Sequence, residues 1–186
     1  MNIVITILLV IIGLVALLLV IGLFTKKDYV IEREVIVKKT KSDVFEYVKL
    51  IKNQDFYSKW VMSDPNMKKS YSGTDGTPGF VYAWDSDQKE TGKGEQEIKR
   101  ILDDEQIDTE IRFEKPFKNV SQALMVVNDV GGNQTKVKWS FASRMKYPMN
   151  IMLLFVNFEK LLGKDMETSL SRLKGILENR SKVEML

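Results

Sequence analysis

The sequence contains no cysteine and no histidine. The chain therefore cannot supply a thiolate nucleophile, a histidine general base, a Ser-His-Asp triad or a zinc site built on those residues. It can form no disulfide, and the lack of cysteine leaves its cellular compartment open. Internal repeats and low-complexity segments are also missing. Any catalysis by this chain would have to use Asp, Glu, Lys or Tyr as acid or base.

The chain also lacks a strong excess of charge of one sign. It has 28 Lys and Arg against 25 Asp and Glu, and the basic residues alternate with acidic ones without forming a stripe. This pattern argues against a nucleic-acid partner. The segment TGKGEQ leads into a strand and lacks the spacing of a phosphate-binding loop. We predict no cofactor and no metal site.

What the sequence does contain is one long apolar run. Ile3–Phe24 comprises 22 residues, in which only Thr6 has a hydrogen-bonding side chain. As a helix the run would be about 33 Å long, which matches a bilayer hydrocarbon core of about 30 Å. No basic residue precedes it and no Ala-x-Ala site ends it, unlike a secretory signal. We therefore favour an uncleaved transmembrane anchor over a cleaved signal or a buried core helix.

The charges that flank the run predict its orientation. Basic residues follow the run and none precedes it; those within residues 25–41 are Lys26, Lys27, Arg33, Lys38, Lys39 and Lys41. By the positive-inside rule, the domain that follows faces the cytoplasm, and the protein is a single-pass protein of the cytoplasmic (inner) membrane. The predicted boundaries are 1–27 for the anchor, 28–180 for the soluble domain and 181–186 for a C-terminal tail.

Beyond the anchor, the first elements predict a strand followed by a helix. DYVIEREVIV is rich in β-branched residues and predicts the strand, and TKSDVFEYVKLI predicts the helix. Thr40 and Asp43 at its start resemble a capping box. About six strand-like segments follow in succession, with a hairpin turn at Gly131 and Gly132. Strands in succession favour an antiparallel sheet that needs a cover on one face.

A long amphipathic helix at the end of the chain is the predicted cover. Its apolar residues recur at intervals of three and four and form one continuous stripe: Phe155, Phe158, Leu162, Met166, Leu170, Leu173 and Leu177. Gly163 interrupts the stripe and is interpreted as a bend. The fold class predicted from these elements is α+β.

The order of the predicted elements and the amino-acid sequences of several segments resemble those of the SRPBCC, or START-like, superfamily, which has the helix-grip fold. The closest local likeness is to the bacterial polyketide cyclase/dehydrase and lipid transport branch. The resemblance covers roughly residues 29–177 and is carried by REVIVKKTKSDVFEYV, DFYSKWVMSDPNMKKSYSG, GFVYAW, GKGEQEI, GNQTKVKWSF and LLGKDMETSLSRLKGIL. It implies a curved seven-stranded antiparallel sheet wrapped around a long C-terminal helix, with an elongated cavity that commonly holds an apolar ligand. The chain departs from the pattern at Thr40 and its neighbours, where such proteins often have proline before the helix.

Neutral polar residues alternate in phase with apolar ones along three of the strands. If the apolar residues face the cavity, Gln96, Thr109 and Gln122 face it too, and so does Phe113. Buried amides and hydroxyls are costly without partners. They would either meet the polar end of a ligand or pair with one another or with water. A register shifted by one residue would reverse every one of these assignments.

Aromatic residues and methionines complete the predicted lining. Trp60, Tyr71, Tyr82, Trp84 and Trp139 are candidates for pocket contact, with ordinary core packing as the alternative. Met149, Met152 and Phe155 belong to a segment that is apolar nearly all round and includes adaptable methionines. This segment is interpreted as the mouth of the pocket or a face that touches the bilayer, with plain burial as the alternative.

The function predicted from these observations is binding without catalysis. The anchor would hold a hollow domain at the membrane, where a lipid or other hydrophobic small molecule is concentrated. One alternative is a cyclase- or hydrolase-like enzyme that uses the same cavity, for which Tyr71 and Tyr82 are the available acids or bases. Another is an interaction or stress-response module with a filled core. The binding hypothesis requires a void between sheet and helix.

Overall fold

The computed structural model describes residues 2–88 and 91–183. Its helices are α1 (Ile3–Phe24), α2 (Lys41–Val48), α3 (Gln54–Tyr57), α4 (Met152–Phe155) and α5 (Phe158–Val183), with single 3-10 turns at Ile51–Asn53, Val61–Ser63 and Met149–Ile151. Its strands are β1 (Asp28–Val37), β2 (Lys68–Ser72), β3 (Val81–Asp85), β4 (Lys93–Leu102), β5 (Gln106–Lys115), β6 (Asn119–Gly131) and β7 (Gln134–Arg144). The tail predicted for 181–186 begins inside α5, and residues 184–186 lie outside those described.

The strands form one antiparallel sheet in the order β1-β7-β6-β5-β4-β3-β2. Each strand from β2 to β6 pairs with the next along the chain, and β7 also pairs with β1. This confirms the α+β prediction of seven antiparallel strands, a long C-terminal helix and an apolar N-terminal helix.

The hydrophobic core lies between the inner face of the sheet and α5. The sheet contributes alternate residues of its central strands, including Ile98, Ile107, Val127 and Val137, and α5 contributes Met166, Leu170, Leu173 and Leu177. These side chains are almost completely buried. α2 closes the same core from one end, and its cap forms as predicted, because the Thr40 hydroxyl accepts a hydrogen bond from the Asp43 amide at 3.1 Å.

The start of the final helix differs from the prediction. Val156 has an extended backbone, so Phe155 belongs to the separate α4, and α5 begins at Phe158. Phe155 is 72 % exposed and does not take part in the buried stripe. The interval of three residues between Phe155 and Phe158 continues the amphipathic pattern of α5. Only the break in the helix at Val156 excludes Phe155 from the buried stripe.

Gly163 lies within the continuous helix α5 and makes room for a neighbour. A Cβ atom there would lie 2.0 Å from Nη2 of Arg33. The Arg33 guanidinium crosses the helix at this point and binds Glu159 at 2.7 Å and Glu167 at 2.5 Å. Gly163 therefore allows β1 to be joined to α5 by charge-assisted hydrogen bonds.

Helix α1 projects from the domain with its side chains exposed along its length. None of its most apolar window is buried, and it is long and apolar enough to cross a membrane. This exposure contradicts the alternative of a buried core helix. An exposed helix of this composition needs an apolar environment that the rest of the domain does not provide.

The end of α1 is docked on the domain. Asn150 is completely buried, and its Nδ2 donates hydrogen bonds to the carbonyl oxygens of Gly22 at 2.7 Å and Thr25 at 3.2 Å. These bonds satisfy carbonyls that a helix C-terminus otherwise leaves free. Gly22 packs so closely on Ile151 that a Cβ atom would lie 2.6 Å from its Cγ1. The anchor is thus attached to the domain in a defined place.

Replacement of Leu173 by alanine should destabilise the domain by roughly 2–5 kcal/mol, because it removes buried methyl groups and leaves a cavity. Leu161→Ala on the same helix is the matched control, since Leu161 is 56 % exposed. Thermal unfolding of the full chain in detergent, followed by circular dichroism, measures both. Equal melting temperatures for the two variants would contradict the packing described here.

Gly22→Val should release α1 from the domain, because the added side chain collides with Ile151. Gly13→Val is the control, since a Cβ at Gly13 meets nothing within 4 Å. The chain has no cysteine, so spin labels at Leu17→Cys and Asn128→Cys can report the distance between helix and domain. We expect a broadened distance distribution for Gly22→Val alone, and an unchanged distribution would show that the docking is not needed.

Candidate ligand-binding cavity

A cavity of about 300 Å³ lies between the concave face of the sheet and α5. Its apolar and aromatic walls consist of Tyr29, Trp60, Val61, Met67, Tyr82, Trp84, Ile111, Phe113, Trp139, Phe141, Phe158, Leu162 and Met166. Its neutral polar lining consists of Gln54, Ser58, Thr91, Gln96, Asn119, Ser121 and Ser143. Empty spaces larger than a water molecule are few in protein interiors, and sites for small molecules begin at about this volume.

The walls of the cavity are built from aromatic pairs. The rings of Trp60 and Trp139 meet edge to face at 5.8 Å, and those of Trp84 and Phe113 do so at 6.0 Å. All three tryptophans of the chain line this one space. Trp84 is fixed further by the hydrogen bond that its Nε1 donates to the Thr91 carbonyl at 3.1 Å. Paired rings resist collapse, so the void is held open by rigid side chains.

A cluster of neutral hydrogen-bonding groups marks the end of the cavity nearest α1. Asn119 donates from Nδ2 to the Ser143 hydroxyl at 2.8 Å, and the Ser121 and Ser143 hydroxyls are also 2.8 Å apart. Burial raises the pKa of the Tyr29 phenol, and a hydrogen bond with Ser143 partly offsets this rise. This cluster, Tyr29–Asn119–Ser121–Ser143, can exchange hydrogen bonds with a hydroxyl or carbonyl group.

Gln96 and Thr109 satisfy each other. Gln96 Nε2 donates to the Thr109 hydroxyl at 3.0 Å, and that hydroxyl lies 3.3 Å from the Ala123 carbonyl, to which it can donate. Gln96 borders the large cavity, but Thr109 lies behind it beside a void of about 10 Å³, close to the minimum for one water molecule. Internal pairing, the second alternative from the sequence, accounts for this pair.

No Asp, Glu, Lys or Arg among the described residues lines the large cavity. Its titratable groups are the phenols of Tyr29 and Tyr82. Tyr82 donates to Asp55 Oδ1 at 2.7 Å, and Asp55 pairs with Lys69 at 2.9 Å. Burial, together with this carboxylate, raises the pKa of Tyr82 well above its usual range. The phenol therefore stays protonated, and the cavity presents an uncharged surface.

Six of the predicted lining residues come together in this cavity: Trp60, Tyr82, Trp84, Gln96, Phe113 and Trp139. Tyr71 does not. It pairs with Tyr82 across β2 and β3, but β2 is the edge strand, and Tyr71 is 43 % exposed. Its ring stacks beside Phe80 instead, below the ammonium group of Lys52 at 4.5 Å. The edge position therefore places it outside the enclosed space.

The prediction for β6 has the wrong face. Ser121, Ala123 and Met125 are buried, whereas Gln122 is exposed and its Nε2 donates to Glu110 at 3.3 Å. Because side chains alternate along a strand, a shift of one residue moves the whole set to the opposite face. Gln122 therefore lies on the outer surface of the sheet.

Met149, Met152 and Phe155 also lie outside the cavity. Met149 borders a surface pocket beside Phe117, whereas Met152 and Phe155 are exposed next to the end of α1. Their separation follows from the docking of Asn150, which holds this segment against the anchor instead of over the cavity. Plain burial, one of the interpretations from the sequence, does not hold for Met152 and Phe155, because both are exposed.

The sequence argument missed the polar cluster near α1. Trp139 is a predicted lining residue, and alternation along the same strand leads from it through Phe141 to Ser143. Ser121 would have followed from the correct register of β6. Tyr29 had no comparable signal, because its place in the wall depends on Phe158 from the far end of the chain.

Comparisons with known proteins find no matching protein-family model and no matching curated protein. Solved structures do match. Norcoclaurine synthase from Thalictrum flavum, in complex with dopamine and hydroxybenzaldehyde, has a TM-score of 0.58 and 11 % identity, covering 84 % of this chain and 90 % of that one. A hypothetical protein from Helicobacter pylori has a TM-score of 0.61 and 13 % identity, covering 81 % and 88 %.

The structure called Ara h 8.0201 has a TM-score of 0.55 and 12 % identity, and the match covers 81 % of this chain and 97 % of that one. Identities this low establish the fold and leave the activity open. The sheet order, the single long helix across it and these matches agree, and the chain therefore has the Bet v 1-like helix-grip fold.

Proposed function

We propose that this protein is a membrane-anchored module that binds an uncharged lipid or other hydrophobic small molecule between the sheet and α5, without catalysing a reaction. The observation that carries the proposal is the cavity of about 300 Å³ with aromatic walls and no charged lining residue among those described. Burial of each ~100 Å² of apolar ligand surface there would contribute roughly 2.5 kcal/mol before the costs of association.

The lining selects the class of ligand. A carboxylate or ammonium group inside the cavity would lose its hydration without gaining a counter-ion, which is costly. The cluster Tyr29–Asn119–Ser121–Ser143 can instead bind a hydroxyl or carbonyl oxygen at one end of an apolar molecule. We therefore propose a neutral ligand with a hydrogen-bonding head and an apolar body.

The anchor supports a membrane location for this binding. We propose that residues 1–27 span the cytoplasmic membrane once and that the domain of residues 28–180 faces the cytoplasm, where the basic residues after α1 would lie. A hydrophobic ligand is concentrated in the bilayer. A binding domain docked at its surface through Asn150 meets that ligand without diffusion through water.

Binding accounts for the cavity better than the two alternatives do. A cyclase or hydrolase needs a group that moves protons, and the cavity provides two phenols with raised pKa values and neither a carboxylate nor an amine. A ligand-free module would have little reason to keep a void of this size. Within the fold, the quoted sequence segments favour the polyketide cyclase/dehydrase and lipid transport branch, and norcoclaurine synthase has been crystallised with small aromatic molecules.

Native mass spectrometry of the full chain, purified in a mild detergent, should detect a co-purifying neutral molecule of a few hundred daltons, which fits a cavity of this volume. The bound mass should disappear after denaturation and appear in the organic extract. A chain that carries no added mass, even after incubation with an uncharged monoacylglycerol, would count against the proposal.

Ser121→Leu should weaken binding by filling the polar end of the cavity, whereas Gln122→Leu should not. The two residues are neighbours on β6 but point to opposite faces. Because all three tryptophans line the cavity, quenching of their fluorescence by a monoacylglycerol brominated on its acyl chain reports occupancy in detergent micelles. We expect at least about tenfold weaker quenching affinity for Ser121→Leu, equivalent to about 1.4 kcal/mol.

Melting temperatures of Ser121→Leu and Gln122→Leu distinguish a filled cavity from a damaged fold. Ile111→Phe, which enlarges an apolar lining residue, is a second filling variant that breaks no hydrogen bond. If both filling variants bind the brominated probe as the unmodified chain does, the cavity is not the binding site.

A further inference from the structure

A second apolar space lies outside the cavity, against the anchor. This groove has a volume of about 860 Å³ and runs between the last turn of α1, the start of β1 and the segment 153–159. Its apolar wall includes Ile21, Phe24, Val30, Leu153, Leu154 and Phe155. We call it the anchor groove.

The anchor groove exposes unusually large apolar side chains. Phe24 is 87 % exposed and Phe155 72 %, and Leu154 and Val30 are also more than half exposed. Soluble surfaces rarely carry contiguous apolar patches of this kind unless they bind a partner or a membrane. Apolar side chains form most of the groove wall, and the charged residues Lys26, Asp28 and Glu159 also border it. The apolar part of the wall fits an apolar chain.

The position of the groove identifies the occupant. Asn150 and Gly22 fix the end of α1 to the domain, so Ile21 and Phe24 belong both to the anchor and to the groove wall. Lys26 lies two residues after Phe24, where a basic side chain would reach the lipid headgroups. With α1 in a bilayer, the groove opens at the boundary of the hydrocarbon core, where acyl chains are the nearest apolar groups.

The anchor groove is separated from the cavity by one layer of side chains. Tyr29 and Phe158 line both spaces, and their ring centroids are 5.7 Å apart. Phe158 is the first residue of α5 and follows the extended Val156, so its ring is not held by a preceding helical turn. The two rings therefore form the partition between the spaces, and a route from groove to cavity requires one of them to move.

We propose that the anchor groove is a second binding site, which takes the acyl chain of a lipid from the bilayer and passes it into the cavity between Tyr29 and Phe158. The inference rests on the proposed function, since it requires a ligand for the cavity. It adds the source of that ligand and the route by which it arrives. The polar cluster that begins at Tyr29 would then meet the head of the lipid at the same end of the cavity.

The route predicts changes in rate without equal changes in affinity. The full chain is reconstituted into phosphatidylcholine vesicles, the uncharged brominated monoacylglycerol is added by rapid mixing, and quenching of tryptophan fluorescence is followed. Phe158→Ala should accelerate quenching about tenfold, because it removes one of the two rings that separate the groove from the cavity. Leu161→Ala is the control, because Leu161 lies on the same helix, is exposed and lines neither the cavity nor the groove; its rate should be unchanged.

A second variant tests the groove without touching the cavity. Phe155→Glu places a charge in the exposed wall of the groove, where folding should be unaffected, and it should slow quenching about tenfold. Leu161→Glu is its control, because Leu161 is also exposed and apolar but does not line the groove. Its rate should equal that of the unmodified chain.

The outcomes separate this inference from the proposed function. Normal rates for Phe158→Ala and Phe155→Glu, with quenching retained, would overturn the route and leave binding intact. An altered oligomeric state of Phe155→Glu in chemical cross-linking, with a normal rate, would assign the groove to a second copy of the chain and also overturn it. Absence of quenching in every form, including the unmodified chain, would reject the cavity as a binding site and the route with it.

Discussion

The structure depends on the uneven packing of α5 against the sheet. The C-terminal half of the helix packs directly on the strands, where Leu170, Leu173 and Leu177 are almost completely buried. In the N-terminal half, Phe158 and Leu162 line the cavity, and polar contacts of Arg33 with Glu159 and Glu167 join the helix to β1. One half of the same amphipathic stripe therefore fills the core, while the other half forms part of the wall of the cavity. The N-terminal half is held mainly by these charge-assisted hydrogen bonds instead of by buried apolar contacts.

Charge is kept on the outer side of the sheet. Arg112 donates to Glu95, Glu97 and Glu110 on that face. Hydrogen bonds from Lys99 and then Arg112 lower the pKa of Glu97, and the hydrogen bond from Arg112 lowers the pKa of Glu110. The inner face carries hydroxyl and amide groups that satisfy one another, as Gln96 and Thr109 do. This separation leaves a cavity suited to neutral ligands. It also explains why a chain rich in ionisable residues presents so little acid–base chemistry in its interior.

The junction between α1 and the domain is a defined contact. Asn150 binds the carbonyls at the end of α1, and Gly22 lets the helix approach Ile151. A flexible linker would allow the domain to turn in any direction, whereas this contact presents one end of the cavity to the anchor. Tyr29, two residues after Lys27, lines both the cavity and the groove. The contact with α1 thus constrains the orientation of the domain as well as its distance from the helix.

The sequence by itself determined which chemistry the chain cannot perform, because that depends on composition. It also determined the apolar helix, the number and order of the strands and the cap at Thr40, because these depend on neighbours close along the chain. It led to six cavity residues, Gln96 and Phe113 through alternation along strands and the other four as aromatic residues. The tertiary structure alone decided the register of β6, the exposure of Tyr71 on an edge strand, the break before Phe158 and the role of Gly163 as space for Arg33. Each of these depends on a partner far away in sequence: a neighbouring strand, a missing cover, a docked helix or a guanidinium group. Local periodicity carries no information about such partners, which is why the walls of the cavity could be predicted in part and its boundaries could not.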